Sequence, residues 1–321
     1  MNPKILASEA ADILNISLQG VHKQLKTKKL EYSKLRNRIY FGHTASIEMF
    51  KSFKSSCKTM VFLLVKGGVG KSTLCRETAI RSTLLGKKVL IIELDHQGNL
   101  TKSFNIDASK YPVLIDLLEN PELDIKKSIA NAAPGLDIIT SRYDNSVLDN
   151  FIMLKGIPLY KILKNKILKL KKDYDVIYID CPPSLGQVVT AAVLCADLLI
   201  LPTTPCDFSD SGIDITVREI KKITSNYDID TIPIKIVLNQ FDNRERDSRD
   251  TYIRLIKDQT YGKMMLDCYI RKCKDIEKYR RVNSTIFETT TSNYGREDLD
   301  IFSREILGVN SPANNLDIDH A

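Results

Sequence analysis

The chain has 321 residues, 43% hydrophobic and 27% charged. That length suggests about two domains with cores needing neither disulfides nor metals, and the composition excludes disordered, collagen-like and coiled-coil classes. Net charge is +7, and it is unevenly placed: residues 1–58 carry 11 Lys and Arg against 4 Asp and Glu, which leaves residues 59–321 balanced. A basic front on a neutral body points to a polyanion partner, or else serves only solubility. The closest approach to a membrane-spanning run, Val188 to Pro202, is broken by Thr190 and Asp197, so no span is expected. Glu9 and Asp12 occupy the place where a secretory leader needs its apolar core, and seven scattered cysteines without a CxxC pair fit a reducing cytoplasm better than a disulfide frame or zinc site.

From Ala7 to Leu25 the apolar positions Ala10, Ala11, Leu14, Ile16, Val21 and Leu25 keep helical spacing. Asn15-Ile16-Ser17 interrupts them, where Asn15 can turn left-handed and Ser17 can cap a second helix. This predicts helix, tight turn, helix, with small alanines letting the second helix cross closely over the first. Gln19, His22 and Lys23 would face outward with side chains able to reach base edges, and Lys26, Lys28 and Lys29 would meet phosphates. The basic run from Lys34 to Tyr40, with Arg36 and Arg38, reads as a wing between short strands, and Thr44 to Phe53 as a closing helix with Ile47, Phe50 and Phe53 on one face. Over about fifty residues this stretch resembles the MerR-like winged helix-turn-helix, which implies DNA binding; the alternative is a helical cap with a solvated basic face. The expected organisation is a DNA-binding domain at 1–53, a linker at 54–58, a second domain at 59–309 and a disordered polar tail at 310–321.

Met60 to Val65 is a β-branched apolar run leading into Lys66-Gly67-Gly68-Val69-Gly70-Lys71-Ser72-Thr73, followed by a predicted helix from Ser72 to Leu85 closed by Gly86. Strand, glycine loop and helix in that order form a phosphate cradle of inward N–H groups at a positive helix terminus. Lys71 would pair with phosphate oxygens and the Ser72 hydroxyl would ligate Mg²⁺. The strict Walker A spacing asks for glycine at position 65, where valine stands, and a second lysine, Lys66, opens the loop.

KGGVGKST resembles the deviant Walker A motif of the ParA/MinD ATPase superfamily. The resemblance implies ATP as substrate and a nucleotide-sandwich homodimer, in which Lys66 would reach the partner subunit's phosphates. Lys88 to Ile92 and the following Glu93-Leu94-Asp95-His96-Gln97-Gly98-Asn99-Leu100-Thr101 are similar to the family's DxDPQGNLT segment. On that match Asp95 would orient the attacking water, while Glu93 and His96 depart from the family's aspartate and proline. Tyr174 to Asp180 followed by Cys181-Pro182-Pro183-Ser184-Leu185-Gly186 looks like the Walker B segment, with Asp180 holding Mg²⁺ through water. Cys181 lacks a positively charged neighbour in sequence and reads as a small buried residue. Leu198 to Pro202 and Ile234 to Leu238 are further strands. The resemblance places Pro205 and Asn239 beside the nucleobase, although Asn239-Gln240-Phe241-Asp242 also resembles the guanine-reading NKxD pattern, so the base stays open on these residues.

Alternating strands and helices with motifs at strand carboxyl ends predict an α/β fold, a doubly wound and mostly parallel sheet. The tail NSPANNLDIDHA has no basic amphipathic face for a membrane. Cluster cysteines and a terminal tyrosine cluster are also not evident, which leaves DNA partition as the reading among the superfamily's members, with a ParB-like adaptor and operator autorepression implied by resemblance. A nucleotide-sensing repressor without motor activity is the alternative. Arg271 to Arg281 carries six basic and two acidic residues, so Arg271, Lys272, Arg280 and Arg281 are candidates for nonspecific DNA contact. Lys161 to Lys172 is as basic but reads as a packing helix with a wet outer face.

Overall fold

The computed structural model describes residues 1–53, 56–156, 158–205, 209–289 and 293–309. The expected disordered tail, the Cys206-Asp207-Phe208 loop, and Lys54 and Ser55 of the expected linker lie outside these residues. Lys58 is described and opens a strand rather than closing a linker.

The front module runs β1 (Ile5–Leu6), α1 (Ala7–Leu14), α2 (Leu18–Thr27), β2 (Ser33–Leu35), β3 (Arg38–Phe41) and α3 (His43–Met49). Its turns follow from local chemistry. Asn15 is left-handed at φ 52° and ends α1, and Ser17 accepts from the Gly20 N–H at 3.0 Å to cap α2. Arg36 and Asn37 both have positive φ, the signature of the tight hairpin turn that suits strand twist, so β2 and β3 pair antiparallel as a short hairpin. The closing helix differs from expectation. Ala45, Ser46, Met49 and Phe50 face inward and Ile47 is exposed, because the helix packs its small residues against the second domain.

That domain contains β4 (Lys58–Phe62), α4 (Lys71–Leu84), β5 (Val89–Glu93), α5 (Asn99–Ser103), α6 (Leu114–Glu119), β6 (Ile129–Ala133), β7 (Leu136–Ile139), α7 (Leu148–Lys155), α8 (Leu159–Leu170), β8 (Val176–Asp180), α9 (Gln187–Val193), β9 (Leu198–Thr203), α10 (Ser209–Asn226), β10 (Ile234–Phe241), α11 (Arg246–Lys257), β11 (Met265–Arg271), α12 (Lys274–Arg281) and α13 (Tyr294–Leu307). Among the described residues the sheet has the order β11-β10-β9-β4-β8-β5-β7-β6, parallel except for the β6–β7 edge. Helices cover both faces, so its central strands are apolar throughout. Leu163, Ile167 and Leu170 of α8 are buried while Leu168 is not, in line with the expected packing helix.

The front module and the rest of the chain share a core. Ile5, Ala10, Ala11, Val21, Leu25, Phe41 and Met49 pack in one apolar cluster with Ile80, Leu84, Leu299 and Phe302 of α4 and α13. Polar ties run through the same contact. Glu9 accepts from Arg296 Nε at 2.8 Å and Nη2 at 3.1 Å and from Arg81 Nη1 at 3.4 Å. His43 Nδ1 lies 2.9 Å from the Thr83 carbonyl, and Lys4 N–H donates to the Phe287 carbonyl. Gly86, at φ +76°, admits the Ser46 backbone so closely that a Cβ there would sit 2.7 Å from its carbonyl oxygen. The front is therefore docked on the helix that starts at the glycine loop.

Candidate nucleotide site

The glycine loop joins β4 to α4, and α4 begins one residue earlier than expected, at Lys71. From Leu74 to Leu84 every α4 residue is buried, so the loop stands on a fixed rod. Gly68 and Gly70 are left-handed, at φ 77° and 90°, conformations that side-chain-bearing residues adopt at a cost. A Cβ on Gly67 or Gly68 would meet nothing within 4 Å, so one side of the loop is open enough for phosphate. Lys71, 7% exposed, donates to the carbonyls of Leu64 at 3.1 Å and Lys66 at 2.9 Å. Burial lowers its pKa, opposed by Asp180, Cys181 and Asp95. Lys66 itself is half-buried beside Gly212 of α10.

Sheet register brings the carboxylates to one edge. Phe62, Asp180 and Glu93 pair across β4, β8 and β5. Asp180 is wholly buried and neither of its oxygens meets a donor at good geometry. Burial, with repulsion from Glu93, drives its pKa up to about 8, tempered by the Ser72 hydroxyl and Lys71. Two orphaned carboxylate oxygens beside a serine hydroxyl and a lysine are a donor set suited to a hard divalent cation, so the residues present fit Mg²⁺.

Glu93 turns its carboxylate to the start of α5. It accepts from the Leu100 N–H at 2.7 Å, the Thr101 N–H at 3.0 Å and the Thr101 hydroxyl at 2.6 Å, capping α5; burial still raises it to about 7. Asp95 accepts from the Gln97 N–H at 3.0 Å, and His96 leans edge-on against Tyr143, a loop position as expected. Burial pushes the Cys181 thiol up, away from reactive thiolate.

A cavity of about 610 Å³ opens against the loop, lined by Gly70, Thr73 and Leu74 on one side and by Asn239, Gln240 and the segment from Arg271 to Val282 on the other. Two of the expected contact residues have partners within the chain. Asn239, 6% exposed, gives its amide to the Val69 carbonyl at 2.8 Å, so one of its two donor hydrogens is held by the loop. Arg271 is paired within the chain: its guanidinium grips the buried Asp298 from Nε and Nη2, at 2.6 Å for the shortest contact, and stacks over Tyr294. Lys272 reaches Glu245, and Arg280 and Arg281 share Glu277. The charge run is thus largely a cavity wall, with partners that its own sequence window does not fully contain. Pro205 follows β9 and is not among the residues lining the cavity. Thr216, which sequence reading missed, holds the Val65 N–H at 3.2 Å and so ties the loop to α10.

On the front module Ser17, Gln19, Lys23, Lys26, Arg36 and Arg38 are exposed and His22 is half-buried. They lie on α2, its cap and the β2–β3 hairpin.

A family model described as an AAA domain matches residues 57–234. The virulence plasmid ParA family protein pGP5-D of Chlamydia psittaci is 30% identical over 254 residues, covering 78% of this chain and 94% of that protein. The cell division protein PomZ of Myxococcus xanthus is 27% identical, over 78% of each chain. A solved plasmid partition protein from Borrelia burgdorferi bound to AMPPNP is similar at 25% identity and TM-score 0.64, over 78% of this chain and 97% of that one. A solved complex of a Cyanothece McdA variant with ATP shares the fold at 18% identity and TM-score 0.70, over 81% of this chain and the whole of that one.

Proposed function

Because the chain belongs to the ParA family of P-loop ATPases, we propose that it is an ATP-driven DNA partition switch with its own DNA-reading front. The supporting observation is the join: a module with exposed Gln19, Lys23, Arg36 and Arg38 is docked through Glu9, Ser46 and Met49 onto α13, Gly86 and the helix that begins at Lys71. ATP is the substrate, a relative having been solved with AMPPNP. Lys71 leaves the Leu64 and Lys66 carbonyls for the phosphates, and Asp95 orients the attacking water. Ser72 directly and Asp180 through water would hold Mg²⁺, which supplies neutralising charge at the phosphates. Lys66 acts across a homodimer, on the partner's nucleotide.

The active protein binds DNA nonspecifically as the ATP dimer, is released by hydrolysis that a ParB-like adaptor stimulates, and represses its operator through the front module. It works in the cytoplasm, apart from any membrane. The test is turnover and sedimentation with ATP, with and without DNA. Lys66→Ala should bind ATP yet neither dimerise nor turn over, Lys71→Ala should lose nucleotide, and Asp95→Ala should persist as a DNA-bound dimer. ATP binding by the unaltered protein without any turnover, alone or with DNA and adaptor, would favour a nucleotide-sensing repressor instead.

A further inference from the structure

The end of β10 is built irregularly. Its register against β11 slips between Asn239 and Phe241, and Gln240 within the slip is left-handed at φ 59°, a conformation unfavourable for a residue with a side chain. The irregularity turns two successive side chains onto two successive carbonyls of the glycine loop: Asn239 Nδ2 donates to Val69 O at 2.8 Å, and Gln240 Nε2 reaches Gly68 O at 3.4 Å. Since a carbonyl can only accept, the atom that faces Val69 must be the amide nitrogen of Asn239. Gly70 makes room for it. A Cβ at that position would stand 2.3 Å from Asn239 Nδ2, so the glycine is required there by the latch as well as by its φ.

A trans peptide is planar, with its C=O and the following N–H pointing in opposite directions. The loop illustrates this one turn earlier, where the Leu64 carbonyl accepts from Lys71 while the Val65 N–H donates to Thr216 Oγ1 at 3.2 Å. By the same geometry, holding the Val69 carbonyl toward β10 turns the Gly70 N–H away from it, and holding the Gly68 carbonyl turns the Val69 N–H away likewise.

We propose that Asn239 and Gln240 are positioning residues for phosphate: from a bulge in β10 they fix the peptides of Gly68 and Val69 so that the Val69 and Gly70 N–H groups are aimed before any nucleotide arrives. This rests on the reading of the loop as a phosphate site and assigns Asn239 a role distinct from reading the base. Pre-aimed donors lose less freedom on binding, so the latch raises affinity for the polyphosphate itself, whatever base it carries.

The probes are ATP, GTP and base-free inorganic tripolyphosphate, each with Mg²⁺, titrated calorimetrically against the full chain and its Asn239→Ala and Gln240→Gly variants. Asn239→Ala should weaken ATP and tripolyphosphate by the same factor, roughly tenfold for one well-placed buried hydrogen bond, and leave the ratio of ATP to GTP affinity unchanged. Gln240→Gly relieves the left-handed backbone while deleting the latch atom, so its melting temperature should hold or rise while tripolyphosphate affinity falls; it carries the test if Asn239→Ala fails to fold. Unchanged tripolyphosphate binding in both folded variants, or in Gln240→Gly where Asn239→Ala does not fold, overturns the inference, as does a loss by Asn239→Ala confined to base discrimination. An unaltered protein that binds neither ATP nor tripolyphosphate overturns the phosphate-loop reading, and the latch with it.

Discussion

Glu9→Ala asks whether the front module is an integral part of the fold or a passenger on a tether. The carboxylate meets two nitrogens of Arg296 and one of Arg81, and it also accepts from the Leu6 N–H at 3.3 Å. Arg81 is fully buried and Arg296 is 3% exposed, so removing Glu9 leaves buried guanidinium charge only partly compensated. Arg81 keeps Asp300, and Arg296 keeps the carbonyls of Lys4, Ile286 and Thr289. The cost therefore belongs near the lower end for breaking a buried pair, about 3 kcal/mol, against less than about 1 kcal/mol for an exposed one. Burial alone would raise the Glu9 pKa, but Arg81 and Arg296 outweigh it and the net shift is downward. A carboxylate with a depressed folded pKa contributes stability above its unfolded pKa, and that contribution is lost as pH falls through the folded one. The difference between unaltered protein and variant should accordingly be full at pH 7 and shrink below about pH 4. Urea denaturation of the full chain, followed by far-ultraviolet circular dichroism, measures both. The unaltered protein should unfold in one transition, since one core spans the contact. A loss below about 0.5 kcal/mol at pH 7 would refute the docking argument.

Gly86→Ala should destabilise by more than the roughly 1–2 kcal/mol expected for a left-handed alanine, because its Cβ would press on the Ser46 carbonyl; a loss within that range on thermal denaturation would show that the module simply moves aside. Arg271→Ala should cost about 2 kcal/mol, less than a fully buried pair because the Arg271 side chain is 40% exposed and Asp298 keeps the backbone N–H of residue 271, and the proposed nonspecific DNA binding should keep its salt slope; a shallower slope would place Arg271 on the DNA surface. Asp180→Asn should abolish the Mg²⁺-dependent part of the thermal protection by ATP, and an unchanged Mg²⁺ dependence would remove Asp180 from the metal site. Deleting residues 1–53 should leave an insoluble or unstable remainder, since Ile80, Leu84 and Leu299 would lose their cover; a soluble, ATP-hydrolysing fragment would contradict this.

What could be read from sequence was local. Asn15, Ser17 and the Arg36-Asn37 turn encode their conformations in their own side chains, and the glycine loop carries its geometry in its spacing. What depended on distant partners was not legible. Ala10 and Ala11 look the same whether they pack within the module or against α4. Lys71 to Leu84 shows no apolar stripe because nearly all of its faces are buried, Arg76 and Arg81 included. Arg271 sits in a basic run, yet the carboxylate that neutralises it arrives from α13, and no window of charge counting spans that gap. Glu93 was visible as a departure, but its capping of α5 needed the backbone of Leu100 and Thr101 in place.

The docked front gives its two sides unequal freedom to change. Gln19, Lys23, Arg36 and Arg38 face solvent, so substitutions there should come at little cost to folding. Glu9, His43, Ser46 and Met49 are matched to α4, α13 and Gly86, and a replacement there must keep shape and charge together. Sequence change in the front module should therefore be tolerated mainly on the outer surface of residues 18–41, whereas a whole module exchanged from a relative would arrive with the wrong underside.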